Sequence, residues 1–228
     1  MIPNITEMAD TIIWDLDGTL LNTLDDLCDS VNYALTQYHL PTRDRMEIRR
    51  FLGNGIRNLI GQSVPENISE TVFDEIFQTF RTYYMGHCQI KTKPYEGIPE
   101  TLAELKKANY KMAIVSNKIQ GAVTDLQKQF FSDYISVAIG ESEGIRRKPA
   151  PDMVHKAMEL LHSSEESTIY VGDSEVDLQT AANSGIKCIS VLWGFRDEDF
   201  LIQKGAETFA KCPQDIIGLL SQPTPSNA

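Results

Sequence analysis

The stretch "TIIWDLDGTLLNTLDDL", residues 11–27, decides the fold. Thr11 to Trp14 form a short apolar run of β-branched and aromatic residues, the pattern of a strand buried on both faces. Asp15 and Asp17 follow at once, and then Gly18. Two carboxylates where a buried strand ends repel each other and resist joint ionisation unless something compensates. The rest of the chain has to supply that compensation.

Working outward, β-rich runs alternate with helical patterns, the signature of a parallel α/β sheet. Strands are expected at 11–14, 111–115, 135–139, 168–171 and 188–192, with a weaker one at "ETFA". Pro99, Pro151 and Pro213 stand at first-turn positions of helices. The helix over 99–109 aligns Leu102 with Leu105, and that over 151–161 aligns Val154, Ala157, Met158 and Leu161.

One region breaks the alternation. From Asn22 to Thr92 no strand pattern stands out, while Leu24, Leu27, Cys28, Val31, Leu35 and Tyr38 follow helical spacing. Val72, Phe73, Ile76, Phe77, Phe80 and Tyr84 do the same, and this aromatic stripe reads as a helix–helix core rather than a ligand box. The block is too long for a crossover connection. It reads as a helical domain inserted through two linkers, "LLNT" and "KTKPYEGIP". The expected organisation is an α/β, Rossmann-like parallel core over 1–21 and 93–222, an all-helical cap over 22–92, and a frayed tail at 223–228.

Composition narrows the partners. The 228 residues are 42% hydrophobic with a formal net charge of −11. Such a surface does not suit a nucleic-acid backbone, which is bound by Lys and Arg. No run reaches membrane-spanning length, and "MIPNITEMAD" lacks the basic and apolar regions of an export signal. Cys28, Cys88, Cys188 and Cys212 are scattered without zinc or disulfide spacing, and read as reduced thiols of a cytoplasmic protein, monomer or homodimer.

In a parallel sheet the reactive groups lie beyond the carboxyl ends of the strands. Asp15 and Asp17 follow the first, Ser116, Asn117 and Lys118 the second, and "GDSEVD", with Asp173 and Asp177, follows "TIYV". Lys148 lies in "RRKPAPD", ahead of helix 151–161. Helix or turn capping could explain any one of these residues, but poorly explains all of them falling at strand ends. Several carboxylates in one crevice call for a hard divalent cation, and all-oxygen ligation favours Mg²⁺. Such a cluster suits phosphoryl transfer, in which aspartate can itself accept the phosphoryl group. Gly18 permits the tight turn by which backbone N–H groups would face a phosphate.

"DLDGTLLNT", "VSNK", "RKPAPD" and "GDSEVDLQTAANSG", in that order, resemble the haloacid dehalogenase-like hydrolases over essentially the whole chain. The resemblance implies Asp15 as nucleophile and Mg²⁺ ligand, and Asp17 as general acid/base that also ligates through its backbone carbonyl. It implies Gly18, Thr19, Ser116 and Asn117 around the phosphoryl group, and Lys148 offsetting its charge. Asp173 would bind the metal, with Asp177 helping directly or from behind. True dehalogenases resemble DxYGT here, so Asp17 points to phosphate esters. "FLGNGIRNLIG" and "LWGFRDEDFLIQKGAETF" are similar to the phosphoglycolate phosphatase group, and the latter also to pyrophosphatase-like members. The implied substrate is a small phosphorylated metabolite, with 2-phosphoglycolate the best single match. A β-phosphoglucomutase-like mutase and a non-catalytic sensor are the alternatives.

Gly53, Asn54 and Gly55 read either as a turn between helices or as a loop closing over the site. Arg57 or Asn54 would then read the far end of the substrate, Arg57 suiting a carboxylate. Two departures from the family pattern are Asn22, where aspartate is usual, and Trp14, where phenylalanine is commoner.

Overall fold

The computed structural model describes residues 9–221; the expected tail at 223–228 and most of the N-terminal segment lie outside the described residues. Six parallel strands form one sheet: β1 (Thr11–Trp14), β4 (Lys111–Ile119), β5 (Val137–Glu141), β6 (Thr168–Gly172), β7 (Lys187–Val191) and β8 (Phe209–Ala210). Their order is β5-β4-β1-β6-β7-β8. The order reverses at β1, so a crevice opens beyond its carboxyl end, between β4 and β6.

Alternation along β1 explains the two layers. Ile12 and Trp14 face a core with Leu102 and Leu105 of α5 (Ile98–Lys107), Leu126 of α6 (Gln120–Phe130) and Ile216 of α10 (Pro213–Ser221). Ile13 faces the other way, onto Val154 and Ala157 of α7 (Asp152–Leu161) and Ala181 of α8 (Glu175–Asn183). Each of the buried Val, Leu and Ile side chains among these contributes about 1.5–3 kcal/mol. Pro213 opens its helix as expected, Pro99 is the second residue of α5, and Pro151 is the N-cap of α7 rather than part of its first turn.

The expected strand at 135–139 lies two residues later, because Ile135 is bonded back to Phe131 in the turn that ends α6. The second strand runs on past 115 to Ile119, so Ser116, Asn117 and Lys118 lie within it. There the register with β5 shifts between Val115 and Ile119. Such an irregularity re-aims side chains at a strand end.

Four helices occupy most of residues 24–87: α1 (Leu24–Gln37), α2 (Arg45–Phe51), α3 (Gly55–Ser63) and α4 (Glu70–His87). They share a core of their own, in which Leu27, Val31 and Leu35 of α1 meet Ile76, Phe80 and Tyr84 of α4. Asp44 closes a capping box with Glu47 that starts α2, and Gly53, at φ 109°, turns the chain between α2 and α3. The linkers are not free coil. Leu21–Asn22 (β2) pairs antiparallel with Lys93–Pro94 (β3), so Asn22 belongs to a strand. Among the described residues no helix is long and apolar enough to cross a membrane, and all four cysteines are free thiols.

Candidate active site

Asp15 leaves β1 with its N–H still bonded to the Val171 carbonyl at 2.8 Å, which fixes the carboxylate over the crevice. The next residues turn back at once: the N–H groups of Leu20 and Leu21 both reach the Leu16 carbonyl. Gly18 sits in this turn at φ 93°, and a Cβ there would lie 2.5 Å from Asp173 Oδ2. Both the backbone and the contact therefore exclude other residues. The N–H of Gly18 is engaged by Leu21, and the buried hydroxyl of Thr19 lies 3.3 Å from Asp173 Oδ1. Neither lines the cavity described below.

Three carboxylates converge. Asp15, Asp173 and Asp177 are buried and each offers an oxygen within 4.8 Å of the others. Lys148, also buried, donates to Asp15 Oδ1 (2.7 Å), Asp177 Oδ1 (2.8 Å) and the Tyr170 hydroxyl (2.9 Å). Those three contacts account for every N–H of its ammonium. Burial alone would lower the lysine's pKa, but Asp15 and Asp177 hold it well above its usual value. Burial, with Asp177 and Asp173 nearby, pushes Asp15 up against the pull of Lys148. Burial and then Asp177 push Asp173 up to about 7.

With all three carboxyls ionised, the cluster would set three negative charges against one ammonium, an excess of two in a desolvated place, which is why burial pushes Asp15 and Asp173 up. An all-oxygen donor set with that deficit fits a divalent hard cation. Asp177 is the most engaged of the three. It completes a capping box with Ser174 at the start of α8, accepting from the Ser174 N–H (3.0 Å) and hydroxyl (2.7 Å). Asp15 and Asp173 are the carboxylates better placed to offer an oxygen to a metal, with Asp177 orienting Lys148.

The expected second aspartate is tied elsewhere. Asp17 Oδ1 accepts from Lys118 Nζ at 2.7 Å, and Ser116 Oγ lies 3.5 Å from Oδ2. Lys118 also donates to the Tyr84 hydroxyl, 2.7 Å away on α4. Asn117 donates to the Lys148 carbonyl at 3.1 Å, which tethers the lysine's backbone.

Above these groups is a cavity of ≈ 60 Å³, room for only a few waters. Its floor is Asp15, Asp17, Ser116, Asn117, Lys118, Lys148 and Asp173, and its roof Leu27, Leu52, Ile56 and Leu59 of the helical insertion. Asn54 and Arg57 lie outside it. Asn54 borders an outer groove beside Arg49 and Arg196. Arg57 is exposed, paired with Asp74 at 2.8 Å and lying over the Phe73 ring.

The segment "WGFRD" straps the two halves together. Trp193 Nε1 donates to the Thr19 carbonyl (2.9 Å), and the Phe195 N–H to Asp173 Oδ2 (2.6 Å). Arg196 pairs with Glu175 through two nitrogens and donates to the Leu52 carbonyl at 2.7 Å, just past α2.

A family model described as haloacid dehalogenase-like hydrolase matches residues 12–191. The chain belongs to the haloacid dehalogenase-like hydrolases. Within the family it is similar to a phosphoglycolate phosphatase of Aquifex aeolicus, 30% identical over 81% of this chain and 85% of the relative. It is equally similar, at 30%, to the pyrophosphatase PpaX of Halalkalibacterium halodurans, over 92% of this chain and 96% of the relative. A crystal structure from Lactobacillus delbrueckii subsp. bulgaricus, provisionally assigned as a phosphoglycolate phosphatase, superposes with a TM-score of 0.90 at 33% identity. It covers 94% of this chain and 100% of that one. This haloacid dehalogenase-like hydrolase is a phosphatase of the phosphoglycolate phosphatase-like group, with the family's parallel core and helical cap.

The sequence named Lys118 but assigned it no role. One signal was available: on a strand, residues two apart share a face, so Lys118 accompanies Ser116.

Proposed function

We propose that the protein is a Mg²⁺-dependent phosphatase of a small phosphorylated metabolite, 2-phosphoglycolate being the best match. It acts in the cytoplasm, as a monomer or homodimer, through an aspartyl-phosphate on Asp15. The observation that carries this reading is the convergence of Asp15, Lys148 and Asp173 on the floor of a cavity of ≈ 60 Å³. Asp15, Asp173 and the backbone carbonyl of Asp17 would hold the ion, with Asp177 supporting them. When bound, Mg²⁺ offsets the charge of the cluster and of the phosphoryl oxygens.

Asp15 Oδ1 is held by Lys148, leaving Oδ2 to attack phosphorus. Asp17 carries a proton on Oδ2 while Oδ1 stays bonded to Lys118. The bond from phosphorus to the leaving oxygen breaks as Asp17 gives that proton to the leaving oxygen, and the proton lost by water in the second step restores it. Water then attacks the phosphorus of the aspartyl-phosphate and loses a proton to Asp17. The bond to Asp15 breaks, and inorganic phosphate leaves. Lys148 keeps its proton throughout and stays against Asp15, while the apolar roof excludes bulk water.

Phosphate release from a panel of small phosphoesters, with and without Mg²⁺, tests the reading. Activity should need the metal and fall by about 10³-fold or more in Asp15→Asn. Undiminished turnover in that variant would sink it. Pyrophosphate belongs in the panel as the second reading, because the PpaX relative aligns over nearly the full length of both chains.

A further inference from the structure

Lys118 is a buried ammonium that the proposed chemistry leaves unexplained. Its side chain is only 5% exposed, and it lines the same cavity as Asp15 and Asp17. Burial opposes its charge, but Asp17 and Tyr84 hold its pKa above the usual value, so it is a cation at neutral pH. Keeping a charge in such a place costs free energy unless every donor is used. An ammonium has three donors. Asp17 and the Tyr84 hydroxyl take two.

Among the cavity-lining residues only Lys118 and Lys148 are cationic. The three donors of Lys148 are committed to Asp15, Asp177 and Tyr170. Arg57, whose residue type suits a carboxylate, is bonded to Asp74 on the outer side of α3. Lys118 is thus the cation in the cavity with a donor to give. Its position says to what: it stands at the Asp17 end, where the leaving group departs, and Lys148 stands at the Asp15 end. The cap side chains across from it, Leu27, Leu52, Ile56 and Leu59, are apolar and offer no charge to a leaving group.

We propose that Lys118, held between Asp17 and Tyr84 of the cap, is a specificity-determining residue that reads a second anionic group close to the scissile phosphoryl group. This deepens the phosphatase reading above and rests on it. A carboxylate and a second phosphate share the chemistry needed, a compact acceptor for one N–H of a desolvated ammonium. A neutral alkyl phosphate of the same size leaves that donor unpaired.

Steady-state kinetics with Mg²⁺ on 2-phosphoglycolate, inorganic pyrophosphate and ethyl phosphate test the assignment. In the wild type, kcat/KM for at least one of the two anionic probes should exceed that for ethyl phosphate by about 10- to 100-fold; which probe is favoured tells the carboxylate from the second phosphate. Lys118→Met should remove most of that preference, mainly through KM for the anionic probe. Lys118→Arg, which keeps the charge, should retain part of it and covers the case in which the methionine variant does not fold. Equal use of ethyl phosphate by the wild type overturns the assignment. So does an equal loss on all three substrates in Lys118→Met, which would mean that the lysine only holds Asp17. No Mg²⁺-dependent turnover of any probe by the wild type removes the phosphatase reading itself, and this inference with it.

Discussion

The backbone N–H of Phe195 donates to Asp173 Oδ2 at 2.6 Å, while the Phe195 ring packs into the core of the helical cap. One residue therefore joins a carboxylate of the charged cluster to the roof of the cavity. Its neighbour Arg196 extends the same connection to the end of α2.

Arg196→Met should loosen that strap. It leaves Glu175 without its partner and the Leu52 carbonyl without its donor, at a cost of about 2–3 kcal/mol. Urea denaturation measures this. A loss below about 0.5 kcal/mol, typical of a surface substitution, would rule out the strap as a structural tie.

Lys148→Met strands Asp15 and Asp177 in a buried site. Breaking a buried pair from one side costs about 3–5 kcal/mol, so the metal-free variant should unfold at markedly lower urea, and its turnover should be lost. Added Mg²⁺ should recover part of the stability, since it supplies the missing positive charge. An unchanged midpoint would mean that the cluster is less tightly coupled than its 2.7–2.8 Å contacts indicate.

The Asp173 carboxyl, raised to about 7 by burial and Asp177, gives a pH dependence with a definite sign. A raised carboxyl favours the folded state in its protonated form. That contribution is complete below the ordinary value of 3.8 and is lost as pH rises through about 7. The same proton competes with a metal. Thermal melts should therefore show a larger Mg²⁺-induced rise in Tm at pH 8 than at pH 6. The reverse order would count against Asp173 as a ligand.

Arg57→Ala should change kcat/KM for 2-phosphoglycolate by less than about twofold and stability by less than about 1 kcal/mol, because its partner Asp74 is equally exposed. A tenfold rise in KM would show instead that Arg57 leaves Asp74 and turns into the cavity during turnover.

Much of the sheet was legible because a buried parallel strand is a local pattern: Thr11–Trp14 needs no partner to be recognised. The carboxylates were legible for a related reason, since strand ends in such a sheet converge by topology. Which way a residue points from a helix depends on rotation, and there the reading was less complete. Gly55, Ile56 and Leu59 line the cavity, and Arg57, two residues before Leu59, is about 160° around the helix from it. Tyr84 was harder. The stripe reading places its ring correctly, 5% exposed among Phe80 and Ile76, but periodicity says nothing of the hydroxyl at the ring's far end. Only the docking of α4 over β4 brings that oxygen to Lys118, 34 residues on.

The β2–β3 ribbon sets Leu21 opposite Pro94, so the chain enters and leaves the helical cap at one place. A two-residue hairpin turn could close that gap and leave all six strands connected as before. Seen this way, the roof over Asp15 is a cassette. Its exchange for another of different shape would redraw the range of accepted leaving groups without moving Asp15, Lys148 or Asp173.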